Sequence, residues 1–137
     1  MQRPTDHHTA LIFTMVLVSA AEGDMTDREL ERIGQFVRFL PIFRDFDSER
    51  LPEVGRACAE LLRREDGLDL ALEMIAEALP QRLRETAYTL ACDVAVADDR
   101  ITAEELEVLQ LLRRRLQIDR LLAAAIERAT HARYVAE

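Results

Sequence analysis

The chain has little of what ends or bends a helix: only 4 glycines and 4 prolines in 137 residues. Sparse punctuation of this kind fits helices joined by short turns. Runs of β-branched residues are lacking apart from short apolar pieces, so no sheet is expected. Four glycines are too few for a phosphate-cradling loop, and no phosphate-binding glycine motif occurs. The 2 cysteines, Cys58 and Cys92, lie far apart, and neither has a Cys or His at metal-ligand spacing. They read as small buried apolar side chains in a reducing compartment. Basic residues are in the minority and the formal charge is −8, which argues against a duplex-binding face. The densest basic run, Arg113-Arg114-Arg115, reads instead as the solvated last turn of a helix, where cations complement the dipole. No Ser or Cys is paired with a candidate His, and carboxylates without a cleft make no glycosidase, so no enzyme is expected.

What the chain does have is a segment that occurs twice. Ala21-Glu22-Gly23-Asp24-Met25-Thr26-Asp27-Arg28-Glu29-Leu30 is answered by Ala97-Asp98-Asp99-Arg100-Ile101-Thr102-Ala103-Glu104-Glu105-Leu106, 76 positions on. Each copy follows an apolar segment and precedes an amphipathic one, giving helix, acidic turn, helix. Thr26 with Glu29, and Thr102 with Glu105, have the spacing of a capping box, in which hydroxyl and carboxylate satisfy two orphan N–H groups. Met25 with Leu30, and Ile101 with Leu106, can close a hydrophobic staple over the same corner.

With 49% hydrophobic and 32% charged residues, the chain is far from a disordered composition. At this length it is expected to form one domain over 1–137. Residues 1–9 read as a loose lead-in. The adjacent pair His7-His8 does not share a helix face, which argues against a metal pair. Residues 10–21 are apolar nearly all round, as in a helix buried on most sides. Arg3, this run and Ser19-Ala20-Ala21 together imitate a signal peptide. Against that stand Asp6 in the would-be basic region and the recurrence of the apolar segment at 87–97. The run is also too short to span a bilayer, which takes about 20 residues.

The periodicity predicts a helix over 26–40 with Leu30, Ile33, Phe36, Val37 and Leu40 inward, stopped by Pro41. A loop with Ile42, Phe43 and Phe46 follows, its aromatics tucked over the core rather than exposed. Next come helices to about Arg64 and over 69–79, separated by the turn Glu65-Asp66-Gly67, and one from Pro80 to about Ala97. The helix over 102–117 copies that over 26–40, with Leu106, Leu109, Leu112 and Leu116 inward. A last helix over 120–133 is capped by Asp119, with Leu121, Leu122, Ala125, Ile126 and Ala129 inward. The expected fold is all-α: a bundle of about seven helices built from two three-helix halves, an internal repeat of about 10–64 and 80–134. A pseudo-twofold would bring helices 10–21 and 80–97 together at the centre.

An apolar helix, an Ala-Asp-Gly-x-Ile-Ser/Thr-x-x-Glu-like turn and a second helix, all duplicated, resemble the TerB-like (tellurite-resistance TerB) family over nearly the whole chain. Departures are Glu22 for the usual Asp, Asp99 for the Gly, and the extra charge of Arg100. The resemblance implies a non-enzymatic, cytoplasmic protein linked to tellurite resistance or a wider chemical-stress response. It would act through protein partners and a divalent metal ion on an acidic surface. Carried onto this sequence, that surface is Glu22, Asp24, Glu29, Asp98 and Glu105. The same residues are explained as caps and as solvated acids at helix N-termini. Against a calcium-binding EF-hand loop, the first and third ligand positions fall on Val18 and Ala20 in one copy and on Val94 and Val96 in the other, which argues against an independent site of that type. The other implied role is a metal-free interaction module, similar to the TerB-like region of membrane-anchored DnaJ-type co-chaperones. Asp93, at the position matching Leu17, is read as paired with Arg82, Arg84 or another nearby arginine, as facing water, or as a ligand. The outward faces mix charged and apolar residues and mark no oligomer seam.

Overall fold

The computed structural model describes residues 6–21, 23, 25–96 and 101–136. Over these, the chain forms seven α-helices and no strand: α1 (His7–Ser19), α2 (Asp27–Phe39), α3 (Leu51–Leu62), α4 (Gly67–Ala78), α5 (Gln81–Ala95), α6 (Ala103–Arg115) and α7 (Arg120–Arg133). Short 3-10 turns at Pro41–Phe43 and Ser48–Arg50 connect α2 to α3.

The nearly all-apolar α1 becomes the axle of the bundle. Every residue in it from Ala10 through Ser19 is buried. It packs chiefly on α5, with α3 and α4 beside it. Its only buried hydroxyls are Thr14, which donates to Ala10 O at 2.8 Å, and Ser19, whose Oγ has no partner among the described residues. The contacts of α1 with α2 and α3 are echoed by those of α5 with α6 and α7, and α4 bridges α3 and α6. Arg84 fastens this junction. Its guanidinium donates to Leu79 O, Leu116 O and Ala76 O at 3.1, 3.4 and 2.8 Å, collecting carbonyls that helix ends leave unpaired.

Several expectations need correction. Helix α1 begins at His7, capped by Asp6 through Thr9 N at 2.7 Å, so 6–9 are not a loose lead-in. His8 is fixed there: its Nε2 lies 2.9 Å from Ile42 O, and its ring packs on Phe43 and Phe46. Phe43 is buried, so that aromatic loop does tuck over the core. Gly67 opens α4 instead of lying in the turn before it.

Leu30 and Leu106, expected inward, are 51% and 50% exposed. The preceding Glu29 and Glu105 point inward to close their caps, and a step of about 100° carries the next residue off that face. Leu121 is 82% exposed for the same kind of reason: α7 buries Ala123 and Thr130, and Leu121 is off that stripe, as are the exposed Ala125 and Ala129.

Candidate acidic twin-turn site

The two copies of the turn fold alike where they are described. Thr26 accepts from Glu29 N at 3.1 Å while Glu29 Oε1 accepts from Thr26 N at 2.9 Å. Thr102 and Glu105 repeat this at 3.1 and 3.0 Å. Both capping threonines hold extended backbone, with φ near −78° and ψ near 160°. In the first turn Gly23 takes φ +137°, a conformation that L side chains avoid.

The capping boxes bury their glutamates, which are 4% and 3% exposed. They also bring the two together across the bundle. Burial pushes the Glu105 carboxyl above its ordinary 4.5; the Thr102 backbone hydrogen bond opposes the shift, and the neighbouring Glu29 carboxylate reinforces it. Oε1 of each glutamate is committed to its own cap, so a second oxygen of each is left for the neighbour. Two carboxyls in contact inside a fold resolve their repulsion by sharing a proton or by holding a cation. Hard carboxylate oxygens suit calcium, magnesium or manganese rather than a thiophilic metal.

Of the five residues expected to form the acidic surface, Glu29 and Glu105 are thus brought together. Glu22, Asp24 and Asp98 lie outside the described residues, as do Asp99 and Arg100. Among the described residues no group of three or more His, Cys, Asp or Glu side chains is placed to hold a metal ion. These residues supply two carboxyls toward a cation and no complete shell.

Asp93 belongs elsewhere. Its Oδ1 accepts from Arg133 Nη2 at 2.8 Å, and its side chain is 9% exposed. The partner is another arginine than Arg82 or Arg84, from the far end of α7. Tyr134, next along the chain, packs its ring under Arg32 of α2 at 4.7 Å. The hydrogen bond from Tyr88 Oη to Glu127 Oε2, at 2.6 Å, escaped the sequence reading. Its one signal was a tyrosine where the first copy has Ile12.

The Glu29–Glu105 contact predicts the pH dependence of folding. Because the folded-state value of Glu105 is raised, the native state holds its proton to higher pH than the unfolded chain does. The stability contributed is complete below 4.5 and is lost as pH rises through the raised value. Glu105→Gln keeps a side chain that completes a capping box and removes the charge. It is expected to raise the melting temperature at pH 7 by roughly 3–5 °C, the size of a ~1 kcal/mol gain in a chain of this length, and not at pH 4. Thermal melts of the metal-free protein across that range check it; an unchanged or lower melting temperature at pH 7 refutes the repulsion.

Seven helices and no strand among the described residues, with a capping box opening both α2 and α6, define a small all-α protein. The chain matches the family described as Tellurite resistance protein TerB over residues 8–128, and it belongs to that family. No curated protein and no solved structure matches it.

Proposed function

We propose that this TerB-family chain is a non-enzymatic, cytoplasmic adaptor of the tellurite or chemical-stress response. It takes a divalent cation between its two acidic turns and presents the adjoining surface to protein partners. One observation carries the reading: the paired burial of Glu29 and Glu105, two carboxyls in contact at the N-termini of α2 and α6. Glu22, Asp24 and Asp98, five to seven positions from those glutamates in the chain, are the proposed further ligands. The half-exposed Leu30 and Leu106 directly follow Glu29 and Glu105, so apolar surface adjoins the site and suits a partner's side chains. No helix among the described residues is long and apolar enough to cross a membrane.

Calorimetric titration with calcium, magnesium, manganese and zinc tests the cation. Micromolar binding of a hard cation is expected, with the melting temperature rising as the metal exceeds its dissociation constant. Binding should be lost in Glu29→Gln/Glu105→Gln, which can keep both caps, and in Glu22→Gln/Asp98→Asn. Absence of heat at millimolar metal refutes the cation and leaves the metal-free interaction module, whose capping boxes need no ion.

A further inference from the structure

The duplication places one groove on the molecule twice, and the copies differ. Val16, Met25, Leu30, Ile33 and Gly34 line the first, beside α3. Residues 76 positions on line the second, between α5, α6 and α7: Cys92, Ile101, Leu106, Leu109 and Gln110. The second encloses a cavity of about 360 Å³. Its floor includes the buried Tyr88, where the first copy has Ile12. Its rim includes Arg113, half-buried, where the first copy has the buried core residue Val37.

A guanidinium withdrawn from water requires a counter-charge. The first groove is lined by two arginines, Arg38 and Arg56, both exposed, and by two acids, Asp27 and Glu31. In the second, the acid in the lining is Glu127, and its Oε2 is bonded by Tyr88 Oη at 2.6 Å. The Arg113 guanidinium makes no ion pair or hydrogen bond among the described residues. Burial holds the Cys92 thiol up at about 12, so the floor offers no competing thiolate. His131 adds ring nitrogens to the same rim, and Ile101 and Leu106, 44% and 50% exposed, supply apolar walls.

We propose that the cavity between α5, α6 and α7 binds a small amphiphilic anion, an apolar or aromatic body with a carboxylate or sulfonate head, the head held by Arg113 and the body lying against Ile101 and Leu106. A mixed cavity with convergent polar groups is the form that small-ligand sites take. The charge-assisted contact supplies orientation and the walls supply most of the affinity.

The probe is 8-anilinonaphthalene-1-sulfonate, titrated by fluorescence in the presence of a chelator, so that the outcome is independent of any cation at the acidic turns. One site per chain is expected, displaced by octanoate. Arg113→Gln should weaken it about tenfold, the loss of one charge-assisted contact. Arg113→Lys should retain most of the binding, while Arg114→Gln and Arg38→Gln should leave it unchanged. Leu106→Gln should weaken it without loss of helix content by circular dichroism. No fluorescence enhancement, equal affinity in Arg113→Gln, or loss in Arg38→Gln instead would overturn the assignment.

Discussion

Gly67→Ala is expected to cost about 3 kcal/mol or more of stability, although alanine is the better helix former. A Cβ at Gly67 would sit 2.0 Å from the carbonyl oxygen of Leu61 and 2.9 Å from its carbon. Those are backbone atoms in the last turn of α3, with no rotamer through which to yield. The α3–α4 elbow must therefore open, and α4 carries the buried Ala71, Leu72 and Ile75 against α1. Gly55 is the internal control. It lies within α3, and a Cβ there meets nothing within 4 Å. Gly55→Ala should stabilise by about 0.5–1 kcal/mol, the ordinary gain of replacing glycine inside a helix. Denaturant melts of the two variants read opposite signs. Equal effects would mean that the elbow is not close-packed.

The same contrast shows what was legible in the sequence. A Gly after Glu-Asp signals a turn, and propensity has no way to reveal that α3 passes within an atom's width of it. The capping boxes were legible because their partners sit three residues apart, so local spacing determines them. The burial of 10–19 was legible because an unbroken apolar run leaves α1 no face for water. The Glu29–Glu105 contact was not. It depends on how two corners 76 residues apart are brought together, and the capping reading already explained each glutamate separately. Asp93 shows the same limit: the need for a partner followed from its surroundings, but Arg133 lies 40 residues on. Leu30 and Leu106 were misjudged because the apolar pattern admits either neighbour of the capping glutamate as the inward one. The demand of the orphan N–H decided for the glutamate. The polar second groove went unseen because Tyr88, Arg113 and Glu127 converge only when α5, α6 and α7 pack.

The duplicated positions Leu17 and Asp93 offer a pair of reciprocal substitutions with opposed outcomes. Leu17→Asp places a carboxylate at a site 2% exposed, in a helix whose neighbouring residues are all buried. It is expected to cost about 4 kcal/mol or more, a large share of the 5–15 kcal/mol that holds a typical domain together. The purified protein should be unfolded or molten at 37 °C by circular dichroism. Asp93→Leu removes the buried half of an ion pair and leaves Arg133, whose side chain is 49% exposed and can turn to water. A leucine in that space restores the apolar residue that the other copy carries, so stability should change by no more than about 1 kcal/mol in either direction. Arg133→Ala is the sharper test of the pair, because it strands the Asp93 carboxylate. It should destabilise by about 1–3 kcal/mol at pH 7 in denaturant melts. If Asp93→Leu were as damaging as Leu17→Asp, α5 would not be filling the role in the second half that α1 fills in the first. The correspondence that places Tyr88 opposite Ile12 and Arg113 opposite Val37 would fail with it.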